Sequence, residues 1–257
     1  MKHARIAWAG AIHDAVEADG QLRIASGRLL SFDEVVWLPP LAPVARPRTI
    51  LALGLNYADH ARELTFKAPD EPLVFVKGEN ALTGHRAFTT RPTGVDFMHY
   101  ECELVVVIGR TARRVQRDDA YDFIGAYSVA NDYAIRDYLE NWYRPNLRVK
   151  NRDGCTPIGP WRVDRSDVED PMQLALQTSV NGTITQSGNT RDMIFDVPFL
   201  IAYFSSFMTL HSGDLILTGT PDGVVDCKAG DVVVTQIEGI GALTNTIVQG
   251  APCVSTT

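Results

Sequence analysis

Two glutamates one residue apart, Glu101 and Glu103, lead into the run Leu104-Val105-Val106-Val107-Ile108-Gly109. This β-branched run reads as a strand buried on both faces. Side chains alternate along a strand, so the two carboxylates project from one face, side by side. Like charges at the mouth of a buried strand are costly unless something positive lies between them. Further on, Val129-Ala130-Asn131-Asp132-Tyr133 supplies a third carboxylate, Asp132, just after another strand-like run. Two Glu and one Asp suit a hard divalent cation, Mg²⁺ or Mn²⁺, that keeps waters for a substrate to displace. The spacing alone equally fits a cross-strand pair salt-bridged to Arg or Lys.

Two other stretches have chemical potential. Thr49-Ile50-Leu51-Ala52-Leu53-Gly54 reads as a buried strand. It opens into Leu55-Asn56-Tyr57-Ala58-Asp59-His60-Ala61-Arg62-Glu63, a short helix capped by Asn56 or Asp59. On a helix His60 and Glu63 are neighbours, and a carboxylate beside an imidazole raises its basicity and fixes its tautomer, as a general base requires. The same pair is common on solvated helix faces. From Asn131 to Gly159 the chain is rich in charge, with Arg136, Arg144, Arg148, Lys150 and Arg152, and is broken by Pro145 and Gly154. A cationic loop after a candidate ligand can receive an anionic substrate, or can simply be solvated. Thr220, in the turn Thr218-Gly219-Thr220-Pro221-Asp222-Gly223, offers a hydroxyl that faces a site or caps the turn.

The elements that must position these groups are mostly strands. Residues 1–47 form a small N-terminal β-region with Arg5-Ile6-Ala7-Trp8, a turn at Asp19-Gly20 and Leu22-Arg23-Ile24. Pro39, Pro40, Pro43 and Pro47 separate it from a main domain over 48–257. Pro72 to Gly78 is a strand, 79–98 is loop-rich, and a short helix begins at Asp118. An Asn181-Gly182 hairpin and a helix from about Pro198 to Phe207 precede the closing strands. With 257 residues, 45% of them hydrophobic, the chain can bury a substantial core, and its net charge of −7 without a basic run argues against nucleic acid or an acidic membrane surface as partner. The four scattered cysteines show no zinc spacing. The first residues lack the apolar core of a signal peptide, and no apolar run reaches spanning length, so a reducing cytoplasm is expected. Gly-rich nucleotide loops and a Gly-x-Ser-x-Gly elbow are absent.

Four stretches together resemble the fumarylacetoacetate hydrolase family: Gly-Leu-Asn-Tyr-Ala-Asp-His-Ala-Arg-Glu (54–63), His-Tyr-Glu-Cys-Glu-Leu (99–104), Asn-Asp-Tyr-Ala-Ile-Arg-Asp (131–137) and Leu-Thr-Gly-Thr-Pro-Asp-Gly-Val (217–224). The resemblance covers nearly all of 48–248. It implies a mostly β (α+β) fold, a mixed β-sandwich or roll with a few short helices, assembled as a dimer. It also implies a divalent metal, Mg²⁺ or Mn²⁺, on Glu101, Glu103 and Asp132, a lid carrying His60 and Glu63, and Lys150 near the metal. His60, Glu63 and Lys150 are then the expected catalytic residues, and Arg136, Arg152 and Thr220 the expected substrate contacts. Residues 142–159, Tyr-Arg-Pro followed by Lys-x-Arg-Asp-Gly and Pro-Ile-Gly, are similar to the members that decarboxylate 5-carboxymethyl-2-oxo-hex-3-ene-1,7-dioate and isomerise 2-hydroxyhepta-2,4-diene-1,7-dioate in homoprotocatechuate (4-hydroxyphenylacetate) catabolism. Leu139 stands where many hydrolase members carry Gln, which disfavours the alternative, carbon–carbon hydrolysis of acylpyruvates. The best-known enzyme of this kind is a fused duplication, so the expected partner is a second copy or a paralogous subunit.

Overall fold

The computed structural model describes residues 1–46, 48–59, 69–139 and 146–252. Among these, strands dominate. An eleven-stranded sheet runs in the order Leu29–Leu30, Gln21–Ile24, Ala11–Ala18, Lys2–Trp8, Arg162–Asp164, Ile124–Asn131, Cys102–Ile108, Leu215–Leu217, Ile50–Gly54, Leu73–Lys77, with Val36–Leu38 also on Lys2–Trp8. A five-stranded sheet runs Thr183–Asn189, Ala175–Val180, Val232–Ile237, Gly241–Pro252, Phe88–Thr93. Both are mixed: Leu215–Leu217 is parallel to Ile50–Gly54, and Gly241–Pro252 to Phe88–Thr93. The N-terminal strands join the large sheet where Lys2 and His3 pair with Val163 and Arg162.

Cys102–Ile108 is buried along its whole length. Its even-numbered residues, Cys102 to Ile108, pack into a core with Ile6, Trp37 and, from the helix Val197–Phe207, Leu200, Ile201 and Phe204. Val105 and Val107 pack the other way, with Ile50, Ala52, Phe75, Ile158, Leu215 and Leu217. This two-sided burial explains the unbroken β-branched run, and each such side chain contributes about 1.5–3 kcal/mol. The strand therefore carries enough apolar burial to hold two acids at its mouth. Those acids share the odd-numbered face with Val105 and Val107, so they open onto the second core.

The helix Val197–Phe207 begins at Asp196, whose Oδ1 accepts from Phe199 N at 2.8 Å, with a proline in its first turn. Asn181 and Gly182 form the expected hairpin turn, both at positive φ (51° and 81°), which matches the twist of the flanking strands. Residues 79–98 depart from the loop expected of them, because Phe88–Thr93 is a strand that contains Pro92. It lies at the edge of its sheet, where a residue without an N–H is tolerated. From this strand Arg91, 6% exposed, donates at 2.6 Å each to Asp226 Oδ1, the Cys227 carbonyl and the Val95 carbonyl. Burial would push the Asp226 carboxyl up, but Lys228, the Met98 N–H and Arg91 outweigh it and hold the group below the usual carboxylate range. This buried ion pair anchors the chain just before His99 and Glu101. Cys102, Cys155 and Cys227 are buried free thiols. No helix among the described residues is long and apolar enough to cross a membrane.

Candidate metal centre

The antiparallel pairing of Cys102–Ile108 with Ile124–Asn131 sets Cys102 opposite Asn131 and Glu103 opposite Ala130. One step beyond the ladder, Asp132 N donates to the Glu101 carbonyl at 2.9 Å. Directly opposed residues point to the same face, so this register brings Asp132 beside Glu101, with Glu103 two residues along. One carboxylate oxygen from each of the three lies within 4.8 Å of the others, and all three side chains are buried. A one-residue slip would send Asp132 to the opposite face and disperse the cluster.

Two lysines enter from other elements. Lys150, in the short helix Leu147–Lys150, places Nζ 2.5 Å from Glu101 Oε2 and 3.0 Å from Asp132 Oδ2, and donates to the Asp132 carbonyl at 3.1 Å. Lys77 ends the edge strand Leu73–Lys77, and its Nζ lies 2.7 Å from Asp132 Oδ1 and also donates to the Lys150 carbonyl. Thr156 Oγ1 is 3.4 Å from the same Asp132 oxygen. Glu103 Oε2 accepts from Gly219 N at 2.6 Å. Gly219 sits at φ +86°, and an added Cβ would come within 2.9 Å of Asn56 Cβ, so only glycine presents that N–H without strain. Buried His99 places Nδ1 3.7 Å from Glu101 Oε1, and Arg136, at the rim, places Nη2 3.9 Å from the same oxygen.

Both sequence readings of the carboxylates thus have a physical basis, since lysines do bridge two of the acids. They do not complete the site. Three carboxylates face two ammonium groups, and Glu103 Oε1, although buried, accepts no hydrogen bond among the described residues. Nor does Asp132 Oδ2, despite its nearness to Lys150. Orphaned buried oxygens are costly, and a divalent cation is the partner that three convergent oxygen donors fit. Burial, with the Asp132 and Glu101 charges, pushes the Glu103 carboxyl well above its usual range. Burial would lower Lys150, but Asp132, Glu101 and Glu103 prevail and hold it above the ordinary lysine range. The acids around it therefore hold Lys150 in its charged form.

The remaining predicted residues fall in different places. Arg136 lies at the rim, a quarter exposed, and its Nε has no hydrogen-bond partner among the described residues. Arg152 donates from Nη1 to the Thr90 carbonyl at 2.8 Å and reaches Met98 Sδ. Arg148 is exposed, its guanidinium over the Tyr138 ring at 3.8 Å. Thr220 is buried, and its Oγ1 accepts from Gln186 Nε2 at 3.0 Å. His60 and Glu63 lie outside the described residues. Asn56 is a buried cross-link: it donates to the Phe195 and Thr218 carbonyls and accepts from Phe195 N. Sequence reasoning missed Lys77, whose signal was its place two residues after Phe75 in an alternating strand, on the same inward face. It also missed the Gly219 N–H, since backbone donors leave no trace in residue type.

Comparison with known proteins bears on this arrangement. Residues 49–248 match the family model described as fumarylacetoacetate (FAA) hydrolase C-terminal. The chain is 59% identical over 206 residues to the 4-hydroxyphenylacetate degradation bifunctional isomerase/decarboxylase of Salmonella dublin, covering 80% of this chain and 48% of that protein. It thus spans about half the length of the first curated relatives it matches. Among solved structures, a 5-carboxymethyl-2-hydroxymuconate delta-isomerase from Mycobacterium smegmatis superposes with a TM-score of 0.85 at 35% identity, covering 97% of this chain and 99% of that one. A maleylpyruvate hydrolase from Sphingobium sp. SYK-6, solved with manganese(II) and pyruvate, gives a TM-score of 0.81 at 26% identity, covering 97% and 100%. With four-fifths of its sequence and nearly all of its fold matched, the chain belongs to the fumarylacetoacetate hydrolase family.

Proposed function

We propose that this protein is a divalent-metal-dependent decarboxylase/isomerase acting on 2-oxo-hexene-dioate or 2-hydroxyheptadiene-dioate intermediates of 4-hydroxyphenylacetate/homoprotocatechuate catabolism. The observation that carries this reading is the 59% identity, over four-fifths of the chain, to a protein named for both activities. The metal is Mg²⁺ or Mn²⁺, held by Glu101, Glu103 and Asp132, whose three convergent carboxylate oxygens fit it. When bound, such an ion supplies Lewis acidity at the carbonyl of a 2-oxo acid. The protein's own residues do the rest. Lys150, kept cationic by the three acids, stabilises negative charge that develops on the substrate. His60 and Glu63 move protons along the conjugated chain. As CO₂ departs, its bonding electron pair passes into the conjugated oxo system, and a proton completes the product. Arg136, at the rim with Nη2 3.9 Å from Glu101 Oε1, holds a distal carboxylate in preference to Arg152, whose Nη1 is engaged with the Thr90 carbonyl. Thr220, whose Oγ1 accepts from Gln186, donates a hydrogen bond from its O–H to the substrate.

The test is a Mg²⁺- or Mn²⁺-dependent absorbance change on the two dioates with purified protein. CO₂ release or a double-bond shift, without a second acid product, is the expected result. Cleavage of acylpyruvates into two acids, with no turnover of the oxo-hexene-dioate, would replace this reading by the hydrolase one that the maleylpyruvate hydrolase likeness favours. The same reading includes a homodimer, with a paralogous subunit as the alternative partner. Sedimentation of the pure chain at its 28.3 kDa monomer mass would remove the homodimer.

A further inference from the structure

Lys77 has no part in the chemistry above, yet it is one of the most deeply buried charges in the molecule, with no exposed side-chain surface. It comes from the edge strand Leu73–Lys77, and Phe75, two residues earlier, lies beneath the Nζ groups of both Lys77 and Lys150 at 5.8 Å each. Its two acceptors are Asp132 Oδ1 and the backbone carbonyl of Lys150. Its ion pair is with Asp132. A buried lysine that served only to neutralise an acidic cluster could sit anywhere among the three acids. This one takes the single Asp132 oxygen turned away from Lys150 Nζ and ties it to the backbone from which Lys150 projects.

We propose that Lys77 is a positioning residue for the divalent-ion seat. With Oδ1 held by Lys77, and Thr156 at 3.4 Å from the same oxygen, the Asp132 carboxylate cannot rotate. Oδ2, which lies 3.0 Å from the Lys150 ammonium but accepts no hydrogen bond among the described residues, is the oxygen turned to the ion seat. The second bond, to the Lys150 carbonyl, fixes the end of the short helix Leu147–Lys150 and so the reach of the Lys150 ammonium. Lys77 thus sets two groups of the site at once without touching either ion or substrate. The inference rests on the reading that Glu101, Glu103 and Asp132 hold a divalent cation.

Its test turns on the sign of an effect. If Lys77 were only a neutralising charge, its removal would make the site more anionic and tighten cation binding. If it positions Asp132, removal weakens binding, as loss of an outer partner of a ligand does, by about 10–100-fold. The full chain, stripped with EDTA, is titrated calorimetrically with Mn²⁺ as wild type, Lys77→Met and Lys77→Gln, alongside melting curves in EDTA. The expected result is a Kd for Mn²⁺ raised about 10–100-fold in a folded variant, with kcat lowered and KM for the oxo acid little changed. An unchanged or tighter Kd in a folded variant would overturn the proposal. So would failure of both variants to fold, which would make Lys77 a structural charge in the core. A wild-type chain that binds no Mn²⁺ would overturn the metal reading itself, an outcome distinct from either.

Discussion

Glu103→Gln is expected to abolish turnover while leaving the metal-free protein at least as stable as its parent. Glu103 is fully buried, with one oxygen on the Gly219 N–H at 2.6 Å and the other accepting nothing among the described residues. Glutamine has the same shape. Its carbonyl oxygen still accepts from Gly219, and its NH₂ turns toward Asp132 and Glu101 as a donor. What disappears is the charge. Loss of one anionic ligand removes several kcal/mol of stabilisation at the reacting carbonyl, about 10³-fold in kcat/KM.

Stability moves the other way. Burial and two neighbouring carboxylates raise the Glu103 carboxyl well above its usual range. Folding with this group charged therefore costs free energy once the pH exceeds the unfolded value. Below the ordinary carboxylate range both states carry the proton and the variant matches the parent. As pH rises from there, the parent loses stability and the variant does not. The checks are kcat/KM on the oxo-dioate, calorimetric Mn²⁺ affinity, and melting temperature in EDTA across pH 4–8. A variant within tenfold of parental activity would show that Glu103 is not a ligand.

Lys150→Met is expected to lower kcat about 10²–10³-fold, the usual cost of removing one preorganised donor to a developing negative charge, with a smaller change in KM. The ammonium lies within 3.0 Å of carboxylates from both Glu101 and Asp132 and is held charged by them. Methionine fills a similar volume without charge. Removing one partner of a buried ion pair costs about 3–5 kcal/mol, because the acids left behind are uncompensated. The metal-free variant should therefore melt well below the parent. A divalent ion restores positive charge at the cluster, so added Mn²⁺ should raise the melting temperature more in the variant than in the wild type. A kcat within threefold of the parent would take Lys150 out of the chemistry. An ion-independent loss of stability would show that its charge is not coupled to the seat.

Period-2 patterning, turn chemistry and residue type were legible in the sequence alone. The run after Glu103 announced a doubly buried strand, Asn181-Gly182 announced its hairpin, and alternation put Glu101 and Glu103 on one face. The family, and with it the mixed β fold, was also legible, because four separated motifs occur in the right order. Only the tertiary structure decided what lies opposite those glutamates. Pairing register is a long-range property, and nothing local to residues 101–103 specifies that Cys102 meets Asn131 and so brings Asp132 alongside. Lys77 was hidden for the same reason: alternation shows that it points inward with Phe75, but only the docking of its strand beside Ile50–Gly54 reveals what it meets there. The strand Phe88–Thr93 was masked by Pro92, whose acceptability depends on an edge position that sequence does not display. Asn56 and the Gly219 N–H act through backbone groups brought together from distant segments, and the chemistry of a backbone amide is the same at every position until the fold decides what faces it.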